Sequence, residues 1–84
     1  MRHNVKMYTL STCSHCKNVK RFMDDNSISY HFTDVDLLTG DERKNIMDEV
    51  RKYNPNCTFP TILIGDIIVI GFNESAIRGA LELK

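Results

Sequence analysis

Apolar residues recur along the chain with two different periods, and these periods predict where strands and helices lie. Near-alternation of β-branched and aromatic residues with polar ones over residues 5–10 and 28–35 predicts two strands. Between them, Val19 and Phe22 share one helical face, and this spacing predicts a helix over residues 14–25. The first part of the chain is therefore predicted to be a strand, a helix and a second strand.

A second helix is predicted between Thr39 and Pro55. Thr39 is followed three residues later by Glu42, the spacing of a capping box in which each side chain satisfies a free backbone N–H group. Pro55 ends the helix because proline has no N–H to donate and restricts the residue before it. The buried stripe of this helix is predicted to contain Ile46, Met47, Val50 and Tyr53.

The last part of the chain carries the strongest local signal. Two apolar, β-branched runs at residues 61–64 and 67–70 are separated only by Gly65-Asp66, which predicts a tight hairpin. Asn73 can cap a final helix. The inward-facing residues of that helix are predicted to be Ile77, Ala80 and Leu81. The predicted element order is therefore βαβαββα.

This element order predicts an α/β fold with a mixed four-stranded sheet. A strand–helix–strand unit requires a right-handed crossover and parallel pairing, whereas a tight hairpin requires antiparallel pairing. We expect the helices to cover both faces of the sheet. Because 84 residues leave room for one core, residues 1–84 are predicted to form a single domain.

The charge balance argues against several classes of partner. Eleven basic and eleven acidic side chains give zero formal net charge, with no block of like charges, which favours neither nucleic acid nor an anionic membrane surface. No apolar segment is long enough for a signal peptide or a membrane span. We therefore expect a cytoplasmic monomer.

The candidate chemistry lies in Cys13-Ser14-His15-Cys16, between the first predicted strand and the first predicted helix. Two cysteines with this spacing lie on one face of a helix start, with Cα atoms close enough for a disulfide. Three cysteines, an odd number, in a chain without a secretory signal argue against structural disulfides. The pair is therefore predicted to be redox-active or metal-binding.

Reactivity requires a thiolate, and the start of a helix favours one. The helix dipole contributes ~0.3–1 kcal/mol, up to ~2 kcal/mol when partly buried, which lowers a thiol pKa by at most about 1.5 units. Hydrogen bonds, for example from Cys16, and the charge of Lys17 are expected to supply the rest. Cys13 is less enclosed and is predicted to be the nucleophile, with Cys16 as the resolving thiol. His15 either adds positive charge or offers a polar surface to the substrate.

The whole chain resembles the glutaredoxin family of the thioredoxin superfamily, including short members that act like small thioredoxins. The residues that carry the resemblance are Tyr8-Thr9 before Cys13-Ser14-His15-Cys16, Thr58-Phe59-Pro60 before the hairpin, and Ile70-Gly71-Phe72 before the last helix. The resemblance implies a thioredoxin-like fold and a thiol–disulfide oxidoreductase with no bound cofactor. It also implies that Pro60 is cis beside the active cysteines and that the backbone of Phe59 pairs with the substrate.

Departures from the family pattern bear on the reductant. Ser14-His15 stands where glutaredoxins usually have Pro-Tyr, and Leu10 stands where they often have a basic residue that binds the glycine carboxylate of glutathione. The family's Gly-Gly pair, followed by a polar and an acidic residue, corresponds to Gly71-Phe72-Asn73-Glu74. Glutathione, another low-molecular-weight thiol and a thioredoxin-reductase-like enzyme are all consistent reductants, and disulfide-containing proteins are the implied clients. The implied substrate contacts are Ser14, His15, Thr58, Phe59, Pro60, Gly71, Phe72, Asn73 and Glu74.

Two other functions are consistent with the same residues. An iron–sulfur or zinc binder could use Cys13 and Cys16, with Cys57 or a second subunit supplying further ligands. A redox-inert docking module is the other reading, and cysteines at a reactive position disfavour it. Cys57 itself is a bystander thiol, a second redox cysteine or a metal ligand, whereas His3 and His31 are expected to be surface or structural residues.

Overall fold

A computed structural model describes residues 4–82, and within this range the elements follow the predicted order. A short 3-10 helix, Val35–Leu37, adds one turn after the second strand. The prediction for His3 lies outside the described residues. No helix within residues 4–82 is long and apolar enough to cross a membrane. The elements are β1 (Val5–Thr9), α1 (Ser14–Asp25), β2 (His31–Asp34), α2 (Gly40–Tyr53), β3 (Thr61–Ile64), β4 (Ile67–Ile70) and α3 (Glu74–Ala80).

β1 lies in the interior of a four-stranded mixed sheet with the order β2-β1-β3-β4. It pairs in parallel with β2, where Thr9 is opposite Asp34, and antiparallel with β3, where Tyr8 is opposite Thr61. β3 and β4 form the predicted antiparallel hairpin. The carboxyl ends of β1 and β2 and the start of β3 therefore meet at one edge of the sheet, close to Cys13 in the chain.

Successive side chains of β1 point to opposite faces of the sheet, and helices cover each face. Met7 packs on one side in a core with α1 and α3, while Tyr8 packs on the other side with α2. The predicted mixed sheet with helices on both faces is confirmed. The first core contains Val5, Met7, Val19, Phe22, Met23, Ile62, Ile64, Val69, Ile77, Ala80 and Leu81, and the second contains Tyr8, Val35 and Val50.

Where the sequence carries strong local signals, the element boundaries match the prediction. α1 spans the predicted residues, and Asn73 caps α3 by accepting a hydrogen bond from the Ala76 N–H at 3.1 Å. The Gly65-Asp66 turn joins β3 and β4, with Gly65 in the left-handed region at φ 58°. Glycine suits this turn because it reaches a positive φ without the steric cost that a Cβ atom brings.

β2 is shorter than the predicted strand of residues 28–35. It spans only His31–Asp34, the residues that face β1 across the parallel ladder. Ile28 and Tyr30 precede the strand and pack against the core that contains α1 and α3. These two apolar residues are part of the core but do not pair with β1. An alternating sequence pattern does not distinguish such residues from paired strand residues, so the predicted strand was too long.

The capping box predicted at the start of α2 does not form. Thr39 is the N-cap residue, but its side chain makes no cap hydrogen bond. Thr39 is exposed, so water can satisfy the free N–H groups of the first turn. Asp41 and Glu42 still place negative charge in that turn, where it interacts favourably with the helix dipole.

The end of α2 is anchored by Asn54 and not by Tyr53. The prediction that Tyr53 is buried is wrong, since it is 37% exposed, whereas Asn54 is 1% exposed. The Asn54 amide donates to the Thr58 carbonyl at 3.0 Å, the Thr58 hydroxyl at 2.9 Å and the Thr61 hydroxyl at 3.1 Å. Its side-chain oxygen accepts from the Asn56 N–H at 3.2 Å. One side chain thus holds the loop that joins α2 to β3.

We predict that Asn54→Ala destabilises the fold by about 2–3 kcal/mol, because it removes the hydrogen bonds that a buried side chain makes to Asn56, Thr58 and Thr61. Asn45→Ala is the matched control: Asn45 is exposed on the same helix. The control is expected to change the free energy of unfolding by less than about 0.5 kcal/mol. Urea unfolding of the reduced proteins, compared at equal m values, measures both effects. Equal stability of the two variants would contradict the anchoring role of Asn54.

Candidate active site

The sheet edge and the start of α1 together position the cysteine pair. β1 ends at Thr9, and the chain then turns, with the Cys13 N–H donating to the Leu10 carbonyl at 3.2 Å. Cys13 takes the extended conformation of an N-cap residue, and its carbonyl accepts from the Lys17 N–H at 3.1 Å. Cys13 therefore stands at the start of α1, and Cys16 lies within the first turn of that helix.

Cys13 presents a partly exposed sulfur that accepts hydrogen bonds. The Cys16 backbone N–H donates to Cys13 Sγ at 3.4 Å, so the sulfur takes the place of a helix-capping oxygen. Burial alone raises the pKa of Cys13, but hydrogen bonds from the Cys16 thiol and from the backbone N–H groups of Cys16 and His15 outweigh it. Together they hold the pKa of Cys13 below its ordinary value. Lys17, expected to add positive charge, does not contribute to this shift.

Cys16 is fully buried, and burial raises its pKa to about 12. The Leu10 backbone N–H donates to Cys16 Sγ at 3.4 Å, and the Lys20 ammonium also favours the thiolate, but both effects on the pKa are smaller than that of burial. At neutral pH, Cys16 therefore carries its proton and can donate it toward the Cys13 sulfur. The two cysteines thus differ in exposure, and their pKa values are shifted in opposite directions.

The loop before β3 lies at the same edge of the sheet as the cysteines. Tyr8 is opposite Thr61 in the ladder, so the residue before Thr61 adjoins the end of β1. The Phe59–Pro60 peptide bond is cis, and the Pro60 carbonyl accepts from the Gly71 N–H at 2.8 Å. The fold therefore brings to one edge the motif cysteines and the predicted substrate residues Thr58, Phe59, Pro60 and Gly71.

Ser14 and His15, between the cysteines, are exposed in the first turn of α1. The His15 backbone N–H is one of the groups that lower the pKa of Cys13, whereas its imidazole is not. The exposed His15 side chain therefore offers a polar surface beside Cys13.

Three side chains predicted to contact the substrate have partners within the chain. Phe72 packs edge-on against Phe22, with ring centroids 6.3 Å apart, and contributes to the core. Asn73 caps α3, and Glu74 pairs with Arg78 at 3.0 Å. A ligand that used these side chains would therefore have to compete with contacts that stabilise α3 and its packing.

Cys57 lies in the loop that Asn54 holds and is half-buried against the core on the α2 face. Its backbone has a positive φ of 52°, and its N–H donates to the Asn54 carbonyl at 2.8 Å. Within residues 4–82, no three histidine, cysteine or acidic side chains come together in a group that could hold a metal ion. Among these residues, Cys57 therefore does not form such a group with Cys13 and Cys16.

Two acidic residues contact this edge and were not predicted from the sequence: Asp34, the last residue of β2, and Asp36, in the 3-10 helix that follows. Asp34 accepts from the Thr9 hydroxyl at 2.5 Å and pairs with the Lys20 ammonium at 3.2 Å. Asp36 accepts from the Ser11 N–H at 2.9 Å and from the Ser11 hydroxyl at 2.5 Å. A signal was present, because the carboxyl ends of parallel strands meet at one edge of a sheet. Asp34, near the end of the second predicted strand, and Asp36, just after it, could therefore be expected to meet residues at the end of the first strand.

Two solved structures of similar chains have the same fold. Methanoredoxin from Methanosarcina acetivorans is 37% identical with a TM-score of 0.89, over 95% of this chain and 85% of that one. The glutaredoxin from Methanosarcina mazei is 39% identical with a TM-score of 0.85, over 93% of this chain and 77% of that one. The thioredoxin-like fold implied by the resemblance is therefore confirmed.

The amino-acid sequence matches known proteins over a similar extent. A glutaredoxin-like 8.6 kDa protein from the rubredoxin operon of Clostridium pasteurianum is 30% identical over 78 residues, which are 93% of this chain and 97% of that protein. Residues 5–69 match the family model for glutaredoxin, and this range contains both motif cysteines and the proline loop. A match of this extent, with relatives aligned over most of their length, shows that the chain belongs to the glutaredoxin family.

Proposed function

We propose that this protein reduces disulfides by thiol–disulfide exchange through Cys13 and Cys16. The main support for the proposal is that the two thiols differ in exposure and in pKa. Cys13 is partly exposed with a lowered pKa, whereas Cys16 is buried in the first turn of α1 with its pKa raised to about 12. The thiolate is the attacking species in exchange, and a protonated second thiol remains available for the next step. Membership of the glutaredoxin family supports the same class of reaction.

The proposed reaction has two steps. The Cys13 thiolate attacks one sulfur of a client disulfide, R–S–S–R′, forming a mixed disulfide and releasing R′S⁻, which takes up a proton from solvent. Cys16 then loses its proton to solvent and attacks Cys13 Sγ, forming the Cys13–Cys16 disulfide and releasing RS⁻. Two electrons pass from the dithiol to the client, and an external thiol or reductase returns them.

The proline loop is proposed to hold the client beside Cys13. Asn54 fixes the loop through its hydrogen bonds to Thr58, and the Pro60 carbonyl ties it to Gly71. A fixed loop offers an extended client segment a preorganised surface at low entropic cost. The exposed Ser14 and His15 side chains would line the other side of the same surface.

The reductant is proposed to be a reductase or a thiol that does not depend on tight glutathione contacts. Leu10 offers no charge to a glycine carboxylate, and Asn73 and Glu74 have partners within the chain. Each missing hydrogen bond to a charged ligand group weakens binding by ~1.5–3 kcal/mol. A reduced dithiol of this kind fits a cytoplasmic location, where thiols are kept reduced.

We predict that Cys13→Ser abolishes disulfide reduction and that Cys16→Ser accumulates a mixed disulfide on Cys13, because its second step is blocked. Reduction of insulin in the presence of dithiothreitol measures activity, and intact-protein mass spectrometry detects the adduct. Cys57→Ser is the control and should keep wild-type activity. Full activity of Cys13→Ser would contradict the role of Cys13 as the nucleophile. The absence of any adduct on Cys16→Ser would contradict the role of Cys16 as the resolving thiol.

We further predict that glutathione is the weaker reductant in coupled assays. With glutathione and glutathione reductase, turnover should rise almost linearly with glutathione concentration, whereas with thioredoxin reductase it should saturate. Glu74→Ala should leave glutathione-dependent turnover unchanged, since Glu74 pairs with Arg78. Glu42→Ala, at an exposed position on α2, is the matched control. The prediction is contradicted if turnover saturates at low glutathione concentration and Glu74→Ala, but not Glu42→Ala, loses turnover severalfold. That result would show that Glu74 binds the glutamyl end of glutathione.

A further inference from the structure

We infer that Asp36 is a positioning residue for the second step, because it holds the Leu10 N–H against the Cys16 sulfur through Ser11. This inference rests on the proposed dithiol function, and it assigns a positioning role in that function to a residue of the 3-10 helix after β2. Two observations support it: Asp36 accepts two hydrogen bonds from Ser11, and Leu10, the residue before Ser11, donates its N–H to the buried sulfur.

The Asp36 carboxylate holds Ser11 with both of its oxygens. Oδ1 accepts from the Ser11 backbone N–H at 2.9 Å, and Oδ2 accepts from the Ser11 hydroxyl at 2.5 Å. Hydrogen bonds to an ionised group are stronger than neutral ones, and two of them fix orientation as well as position. The same bonds hold the pKa of Asp36 below its ordinary value, so the carboxylate is ionised at neutral pH.

Ser11 is linked to both cysteines through Leu10, whose carbonyl lies in the Leu10–Ser11 peptide plane and whose N–H lies in the preceding plane. The Ser11 N–H group and the Leu10 carbonyl belong to the same planar unit, so a contact that fixes one also fixes the other. The Leu10 carbonyl accepts from the Cys13 N–H at 3.2 Å, and the Leu10 N–H donates to Cys16 Sγ at 3.4 Å. Asp36 therefore sets the orientation of the turn that delivers a backbone donor to the buried sulfur.

The Leu10 N–H matters for the second step because Cys16 must lose its proton before it attacks. A hydrogen bond to sulfur favours the thiolate, and this one lowers the pKa of Cys16 against the opposing effect of burial. A rise of about one unit in that pKa would cut the thiolate fraction about tenfold. The more basic thiolate would be about threefold more nucleophilic, so the second step would be about threefold slower.

The first step should be nearly independent of Asp36, because the Leu10 carbonyl contacts the Cys13 N–H and not the Cys13 sulfur. The donors that stabilise the Cys13 thiolate are the Cys16 thiol and the backbone N–H groups of Cys16 and His15, all of which belong to α1. A change at Asp36 should therefore separate resolution by Cys16 from attack by Cys13. A residue that merely supported the fold would alter both steps together.

The test uses reduced Cys57→Ser protein and the aromatic disulfide dithiobis(nitrobenzoate). Cys13 releases one thionitrobenzoate and Cys16 a second, so stopped-flow absorbance records both steps in one trace. We expect Asp36→Ala to leave the first phase nearly unchanged and to slow the second about threefold. Ser11→Ala keeps the backbone bond and should slow it less. Asp36→Asn can still accept from the Ser11 N–H and should restore most of the rate.

Asp25→Ala is the matched control, because it removes an exposed carboxylate at the end of α1 and should change neither phase. An unchanged second phase in Asp36→Ala overturns the inference, and so does equal slowing of both phases. Should Asp36→Ala fail to fold, Ser11→Ala decides by the same criteria. Release of only one equivalent by the parent Cys57→Ser protein contradicts the proposed dithiol function, and the inference with it.

Discussion

The chemistry of this chain depends on the burial of one sulfur atom. Cys16 Sγ lies beneath the turn that follows β1, and its removal from water raises its pKa to about 12. Cys13, three residues earlier, is partly exposed, and its sulfur accepts hydrogen bonds from the first turn of α1. Two identical side chains thereby acquire different pKa values, so Cys13 forms the attacking thiolate more readily than Cys16.

That burial depends in turn on the position of β1 within the sheet. Parallel pairing with β2 brings Asp36 to the turn after β1, and antiparallel pairing with β3 brings Pro60 to the same edge. The site is thus assembled from three segments that are distant in sequence but adjacent at one sheet edge. The hydrogen bond from the Gly71 N–H to the Pro60 carbonyl adds a fourth segment, the residues just before α3.

Features that depend on neighbouring residues could be predicted from the sequence, whereas features that depend on strand register could not. The limits of α1, the Gly65-Asp66 hairpin and the Asn73 cap follow from residues a few positions apart. The contact between Ser11 and Asp36 joins residues 25 positions apart, so it exists only once β1 and β2 have paired. Tertiary contacts also determine which side chain is buried at the end of α2. Helical periodicity predicted Tyr53, whereas the structure buries Asn54.

The same distinction applies to the site. The cysteine pair and the proline loop could be found by motif and resemblance, because each is a short run of residues. The availability of Asn73 and Glu74 for binding a reductant could not be predicted in this way. It depends on the helix cap that Asn73 forms and on the ion pair between Glu74 and Arg78. Motif residues identify the reaction class, while their intramolecular partners govern which substrates they can hold.

The most direct test of the account is a pH titration of the two motif thiols, followed by thiolate ultraviolet absorbance in Cys57→Ser protein. Burial and hydrogen bonding predict two separated steps. One equivalent of thiolate, from Cys13, should appear at a pH below the ordinary pKa of a cysteine thiol. The second, from Cys16, should appear only as the pH approaches about 12. Two equivalents that titrate together near the ordinary value would contradict the claim that burial of Cys16 divides the roles of the two thiols.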